Sequence, residues 1–445
     1  MRSLNVYAEN QLVGQLHEGD DLWRFQYDKG WAQASDGFDL APGLPRTTLE
    51  NVDGGTMRPV QWFFDNLLPE ELLRQAVSKE AGIKGDDAFA LLQYLGAESA
   101  GSLTLLPPEN ALPKARAVRD LPNEQLSSRI ANLPRLTLTA DAPKRMSLAG
   151  AQHKLLVIYH EGLLYEPEGA TPSTHILKPN HPDTEAYPAS VVNEYLTMRL
   201  AKAVGLPIPE VHLLYVPQPV YVIQRFDRVA PEATPPGAQP ALSLQRKHLI
   251  DACQLLNKSR TFKHSGASIQ ALKDIIEATT NKANARLMLF RWLVFNIAIA
   301  NDDCHLKNLS FFMSSEGVQL APHYDLLATS AYYTRAFANE KATWADVRMA
   351  IPLGNANFFS NVTARMVLEA GLELGVPDVS ARRILKEVTT RLPGALGKEL
   401  AHIRNLHARA PEAAKVYLGA EDRLLRVVEH IILKEMLGRL RGGNG

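Results

Sequence analysis

Only two cysteines, Cys253 and Cys304, occur in 445 residues, so no disulfide framework can hold this chain together. That scarcity fits a reducing compartment, the cytoplasm. Net charge is also lacking: 48 Lys and Arg balance 48 Asp and Glu, so no global basic field announces nucleic acid, although a local patch remains compatible with it. Long apolar runs are missing. Leu287 to Ala300 is interrupted by Arg291 and Asn296 and is too short to span a bilayer, so no membrane partner is expected. The N-terminus, Met1 to Tyr7, lacks the apolar core of a signal peptide. No repeat recurs at a fixed period. What is present is an ordinary globular composition, 46% apolar and 22% charged, long enough for two or three domains.

Alternation and turn signals predict a small mixed domain over residues 1–110. It has a hairpin around Glu9-Asn10, a third strand at Trp23 to Tyr27, helices from Gln61 and over Glu71 to Ala81, and a strand at Leu103 to Leu106. The aromatic run Trp62, Phe63 and Phe64 reads as core in preference to a binding surface. Residues 111–143, rich in proline, read as a linker with one short helix. Residues 144–228 read as an antiparallel sheet with one helix, Tyr187 to Val204, closed by Gly205. Val229 to Leu242 is an expected exposed loop. From His248 onward, within residues 229–445, the pattern is mostly helical, including Ser380 to Leu392, Gly394 to Leu406 and Ala420 to Arg441.

The chemistry concentrates between Asn301 and Asp325. An apolar helix ends there in Asn301-Asp302-Asp303-Cys304-His305-Leu306-Lys307-Asn308, and Pro322-His323-Tyr324-Asp325 follows. Polar groups crowded at the end of a buried element usually serve a ligand. Asp303 can orient a substrate hydroxyl, and Asn308, five residues on, and Asp325, seventeen further, supply hard oxygen ligands of the kind magnesium prefers. Helix caps and turns use the same residue types, so this spacing alone is a weak signal.

Three further elements precede it in the order a two-lobed kinase needs. Small residues around one glycine in Ser147 to Lys154 let backbone N–H groups approach phosphate oxygens, although the segment is neither a Walker motif nor GxGxxG. Lys178 ends an apolar strand, and Glu194 on the next helix is a candidate partner. Val220 to Arg228 stands where a hinge would meet adenine.

Taken together, Ser147 to Gln152, Thr174 to Lys178, Asn193 to Tyr195, Arg225 to Arg228, Asp303 to Asn308 and Tyr324-Asp325 resemble the HipA family. Gln11 to Gly14 and Phe63 to Pro69 resemble its N-terminal domain, so the likeness spans nearly the whole chain. HipA proteins are serine/threonine-kinase toxins of bacterial toxin–antitoxin pairs. The resemblance implies an α+β, bilobal protein-kinase-like fold: a small, mainly β N-lobe with an added N-terminal subdomain, and an all-α C-lobe. It implies ATP and Mg2+, with Asp303 as catalytic base and Asn308 and Asp325 as metal ligands. Ala149, Gly150, Ala151, Gln152, His153 and Lys154 would form a flexible phosphate loop. Lys178 would contact the nucleotide phosphates, Gln224, Arg225 and Phe226 would form the hinge, and His305, Lys307 and Tyr324 would line the ATP site. Ser147 would be autophosphorylated, adding about −2 charge beside the nucleotide and silencing the enzyme. The implied partners are a HipB-like helix-turn-helix antitoxin, operator DNA bound through that complex, and a protein substrate, an aminoacyl-tRNA synthetase such as glutamyl-tRNA synthetase or another translation factor.

Four residues depart from the family pattern. Cys304 stands where relatives mostly carry glycine, and Leu249 and Ile250 replace polar residues of an element near the site. His153 replaces an acidic residue of some relatives. The Cys304, Leu249 and Ile250 departures leave open a catalytically weak co-repressor that binds antitoxin and DNA, and a small-molecule kinase stays open because the same two lobes serve phosphoinositide and aminoglycoside kinases.

Overall fold

The computed structural model describes residues 1–147, 149–150, 152–229 and 244–442. The chain forms two compact units: residues 1–178, 223–262 and 310–321, and residues 179–222, 263–309 and 322–445.

The first unit opens with strands β1 (Arg2–Ala8), β2 (Gln11–Gly19) and β3 (Leu22–Tyr27). With β4 (Glu50–Val52) and β5 (Leu103–Leu106) they make a sheet in the order β4-β3-β2-β1-β5. Alternation puts Leu4, Val6, Leu16, Trp23 and Phe25 on its buried face. A Cβ at Gly14 would lie 2.2 Å from the Gln26 carbonyl oxygen, so only glycine lets β2 and β3 approach there. Helix Pro59–Asp65 packs Phe63 and Phe64 into this core, as the aromatic run predicts.

A second sheet in this unit runs β9 (His175–Pro179), β7 (Leu155–His160), β8 (Leu163–Gly169), β6 (Arg116–Asp120). Here the expected linker is corrected. Strand β6 lies inside 111–143 and pairs with β8 from Arg116 opposite Gly169 to Asp120 opposite Tyr165. Leu121, Leu126 and Leu138 are buried behind it, so its prolines punctuate a sheet edge instead of separating domains.

The chain after His248 is mostly helical, as expected, with strands added to it. Strands Leu249–Asp251, Ser310–Ser314 and Gly317–Leu320 form a three-stranded antiparallel sheet in the first unit. Leu249 and Ile250 pair with Phe312 and Phe311 and are buried, which explains apolar residues at these two positions. The expected loop falls at 230–243, outside the described residues, between Arg228–Val229 and its antiparallel partner Gln245–Arg246.

The second unit is mainly helical. Its helices include Ser190–Ala203, Ile269–Ala278, Lys282–Ala298 and Ala364–Glu373. Two helices expected on either side of Pro393 are one, Asp378–Arg409. An interior proline costs about 3 kcal/mol. A continuous buried stripe, Val388, Leu392, Leu396, Leu400 and Ile403, runs through the proline and offsets that cost. The last helix begins at Lys415, earlier than the expected Ala420, and contains a π-helical turn over Val428–Leu433 before ending at Arg441. Among the described residues, no helix is long and apolar enough to cross a membrane.

Candidate active site

The second unit builds its site where helix Lys282–Ala298 stops. Ala300 adopts φ 51°, and the Ala300 and Asn301 amides donate to the Ile297 and Asn296 carbonyls at 3.1 and 2.9 Å. This is the Schellman pattern, which satisfies the last helical carbonyls and turns the chain sharply. Alanine occupies the left-handed position normally given to glycine, a local strain of the kind that collects at functional sites.

Asn301 then organises the loop. Its buried side chain donates to Asn296 Oδ1 at 2.8 Å and accepts from the Asp303 amide and from Thr329 Oγ1, each at 3.1 Å. Thr329 Oγ1 also accepts from the Asp302 amide at 2.8 Å. Asp302 accepts from Ser330 Oγ at 3.3 Å, and burial raises its carboxyl above the usual range. The adjacent acids therefore divide: Asp302 is a structural anchor, while the Asp303 side chain is 59% exposed.

The backbone of Asp303 is held from the other side too. Its carbonyl accepts from the His305 amide at 2.9 Å and from Asn308 Nδ2 at 2.8 Å. An amide whose nitrogen is spent in this way presents its oxygen on the other side. That oxygen is the atom a hard cation needs, so Asn308 fits the ligand role expected of it. Leu306–Asn308 forms a single 3₁₀ turn with Lys307 and Asn308 buried. Tyr324 Oη donates to the Lys307 carbonyl at 2.8 Å, which brings Tyr324 and Asp325 beside Lys307 and Asn308. Asp325 has φ 55°, a left-handed conformation that aspartate tolerates better than most residues. One amide oxygen and one carboxylate, both hard donors, suit a magnesium ion that keeps its remaining positions for phosphate and water.

Cys304 is not a reactive thiol. Its Sγ donates to the Asn301 carbonyl at 3.4 Å, and burial beside Asp303 and Asp302 pushes its pKa well above the ordinary cysteine value. His323 is buried as well and remains neutral, its pKa lowered by burial to about 3.

The first unit carries the other expected residues. Ser147 is buried, with Oγ donating to the Leu67 carbonyl at 2.6 Å and its amide to the Glu98 carbonyl at 2.7 Å. Gly150, at φ 108°, accepts at its carbonyl from the Glu70 amide at 3.2 Å, and Lys154 Nζ reaches the Ala149 carbonyl. Gln152 is half-buried and His153 buried, whereas Ala151 lies outside the described residues. Lys178 is buried near the end of β9. In the expected hinge, Gln224 is exposed and Phe226 meets Phe312 edge-on at 5.9 Å. The Arg225 guanidinium is committed to Asp227, Glu98, Ser173 and the Ser99 carbonyl, and its amide donates to the Thr174 carbonyl at 2.8 Å, so neither this side chain nor this N–H is left for a ligand. Glu194, the expected partner of Lys178, is buried on helix Ser190–Ala203 of the second unit.

Sequence reasoning missed two features. One is the buried ion cluster of Glu98, Lys144, Arg225, Asp227 and Arg228. The other is His264, whose Nδ1 lies 4.0 Å from Asp303 Oδ1. No periodicity or spacing links residues so far apart in sequence.

Comparison with known proteins bears on family and fold. Family models described as HipA N-terminal domain and HipA-like C-terminal domain match residues 4–106 and 146–396. The serine/threonine-protein kinase toxin HipA of Shewanella oneidensis is 30% identical over 349 residues, 74% of this chain and 76% of that protein. A Sinorhizobium fredii protein named as a kinase, Y4mE, is 32% identical over 345 residues, 75% of this chain and 78% of its own. A solved structure of Shewanella oneidensis HipA with HipB and operator DNA matches with TM-score 0.74 and 25% identity, covering 99% of this chain and 100% of that one. Fold and likeness first define a class: this is a serine/threonine protein kinase of α+β, kinase-like fold. More narrowly, the chain belongs to the HipA family of kinase toxins.

Proposed function

We propose that this kinase transfers the γ-phosphoryl group of ATP to a serine or threonine hydroxyl of a protein, with Asp303 as the base that orients the attacking hydroxyl. The observation that carries this reading is the loop itself. Asn301 and Asn308 fix the Asp303 backbone from two sides while the carboxylate remains exposed. Catalysis of phosphoryl transfer is mostly positioning and electrostatics, and a fixed backbone beneath an accessible acid supplies the first of these. Asn308 and Asp325 would hold magnesium, which when bound neutralises charge on the phosphates. Lys178 would bind nucleotide phosphates, Ala149 to Lys154 would cover them, and Lys307, His305 and Tyr324 would shape the pocket.

Ser147 is the autophosphorylation site in this proposal. Its hydroxyl is buried against Leu67, so the loop must leave this position before the hydroxyl can attack, and a phosphate would then prevent its return. Partners are proposed by likeness: the Shewanella protein was solved with HipB and operator DNA, which supports a HipB-like antitoxin and autorepression through the joint complex. The proposed protein substrate is an aminoacyl-tRNA synthetase, glutamyl-tRNA synthetase being the first to try, and the proposed compartment is the cytoplasm.

The test is incubation of the purified full chain with labelled ATP and magnesium, followed by peptide mapping. Label on Ser147 is expected in wild type and is lost in Asp303→Asn. Equal label in both proteins removes Asp303 from the mechanism.

A further inference from the structure

His264, Asp303 and His305 each offer one ligand atom, and these three atoms lie within 4.8 Å of one another. His264 Nδ1 is 4.0 Å and His305 Nε2 3.9 Å from Asp303 Oδ1, and the two rings meet edge-on with centroids 4.7 Å apart. We infer that this trio is a binding site for a borderline divalent cation of the zinc class, separate from the magnesium ligands Asn308 and Asp325.

The donor chemistry selects the ion. Two imidazoles and one carboxylate suit Zn2+, Co2+ or Ni2+, whereas magnesium favours oxygen donors and keeps its waters. Tetrahedral zinc with bonds near 2.0–2.1 Å sets ligand atoms ~3.3 Å apart, so the trio needs to close by roughly 0.6 Å to at most about 1.5 Å. Two of its members can make that move. The His264 and Asp303 side chains are 54% and 59% exposed, while the His305 ring, at 10%, provides a fixed corner. The backbones are already joined, because the Leu306 amide donates to the Lys263 carbonyl at 3.1 Å and so locks the His264 segment to the catalytic loop. Exposure of two of the three ligands leaves the fourth coordination position open to water. The neighbouring Cys304 is no competitor, since its thiol is buried and turned to the Asn301 carbonyl.

The consequence follows from the choice of carboxylate. A cation on Asp303 withdraws the oxygen that would orient the substrate hydroxyl, so zinc-class ions inhibit the kinase reversibly without displacing magnesium. This consequence, unlike binding, rests on the proposed role of Asp303.

Binding is tested on the full-length protein with the metal alone. Zn2+ is titrated against a chromogenic chelator, and Co2+ is followed by its visible d–d absorption. One equivalent is expected in wild type. His264→Ala, a change at an exposed loop position, should weaken that equivalent at least tenfold and abolish the cobalt band, while His430→Ala, removing another exposed histidine, should change neither. Equal affinity in wild type and His264→Ala, or no cobalt band in wild type, overturns the site. Kinase assays in excess ATP and magnesium, each variant normalised to its zinc-free rate, form the second arm. At least tenfold more zinc should be needed to inhibit His264→Ala. If wild type binds the metal with the expected spectrum yet turns over unimpeded, the metal site stands and Asp303 is not the base.

Discussion

Replacing Glu98 with glutamine tests the energetics of the first unit. Glu98 is fully buried, and its carboxylate receives Lys144 at 2.8 Å, Arg228 at 2.9 Å and Arg225 at 3.2 Å, together with the Ser173 hydroxyl at 2.8 Å. Asp227 balances the same two arginines and accepts the Gly101 amide at 2.8 Å. Three cations thus face two carboxylates, and the substitution leaves three facing one. Removing one partner from a buried ionic group typically costs about 3–5 kcal/mol, because the charges left behind have lost both water and counter-ion. That is a large part of the 5–15 kcal/mol typical of a folded domain. The reverse deletion should be milder. Lys144→Met removes the surplus cation, leaves Glu98 with both arginines, and should cost about 1–2 kcal/mol, near the worth of a charged hydrogen bond.

Urea unfolding followed by tryptophan fluorescence reads the difference, with Trp23, Trp31 and Trp62 reporting on this unit. Hydrogen exchange adds a local readout. The Ser147 amide donates to the Glu98 carbonyl, so its protection should fall in Glu98→Gln more than in Lys144→Met. The pH dependence has a definite sign. The cations hold Glu98 well below the carboxylate range, and Arg225 and Arg228 hold Asp227 at about 2. Their stabilisation is therefore complete above the ordinary carboxylate range, about pH 5 and higher, and is lost as the pH falls through that range towards those lowered values. A loss below about 1 kcal/mol for Glu98→Gln, or equal losses for both variants, refutes the reasoning.

Three further outcomes are expected. Asp303→Asn should lower the rate of phosphoryl transfer by about 10²–10⁴ while leaving the unfolding midpoint unchanged, and a midpoint shift as large as the activity loss would make the residue structural. Asp325→Asn should weaken magnesium activation, seen as a rise in the magnesium needed for half-maximal rate, and an unchanged requirement would remove it from the metal site. Burial holds the neutral forms of His248 and His323, with pKa values lowered to about 4 and about 3, so each contributes fully above the usual value near 6.5 and loses its contribution as the pH falls towards its folded value. Between pH 7.5 and 5 each should cost about 2 kcal/mol, and His248→Gln should flatten its share of that slope in a series of urea melts.

Much of the architecture was legible because its signals are local. Helix Glu71–Ala81 and strand Leu103–Leu106 stand at the residues their periodicity names. Strand β6 was hidden by the prolines that flank it, Pro113 and Pro122, so its segment reads as a linker until β8 supplies the partner. The sheet at Leu249–Asp251 was hidden for a different reason: its partner strand begins at Ser310, across a stretch of helices. Pro393 misled in the opposite sense, since a local breaker was overridden by a buried stripe that only tertiary packing reveals.

The site follows the same division. Asp303 and Asn308 could be singled out because five residues separate them, and the fold joins them through the Asn308 side chain and the Asp303 carbonyl, while Tyr324, next to Asp325, reaches the Lys307 carbonyl across seventeen residues. Cys304 shows what spacing cannot convey. From sequence it is a thiol inside a catalytic loop. In the fold its Sγ fills the turn that Asn301 makes, so its side chain belongs to the packing that keeps Asp303 in place. The same holds for Leu249 and Ile250, which are core residues of a strand. The departures that left room for a weakly catalytic co-repressor therefore replace packing groups and remove no catalytic one. His264 is a different case. Its Nδ1 lies 4.0 Å from Asp303 Oδ1, a juxtaposition that no local pattern foretells and on which the zinc-class site proposed above rests.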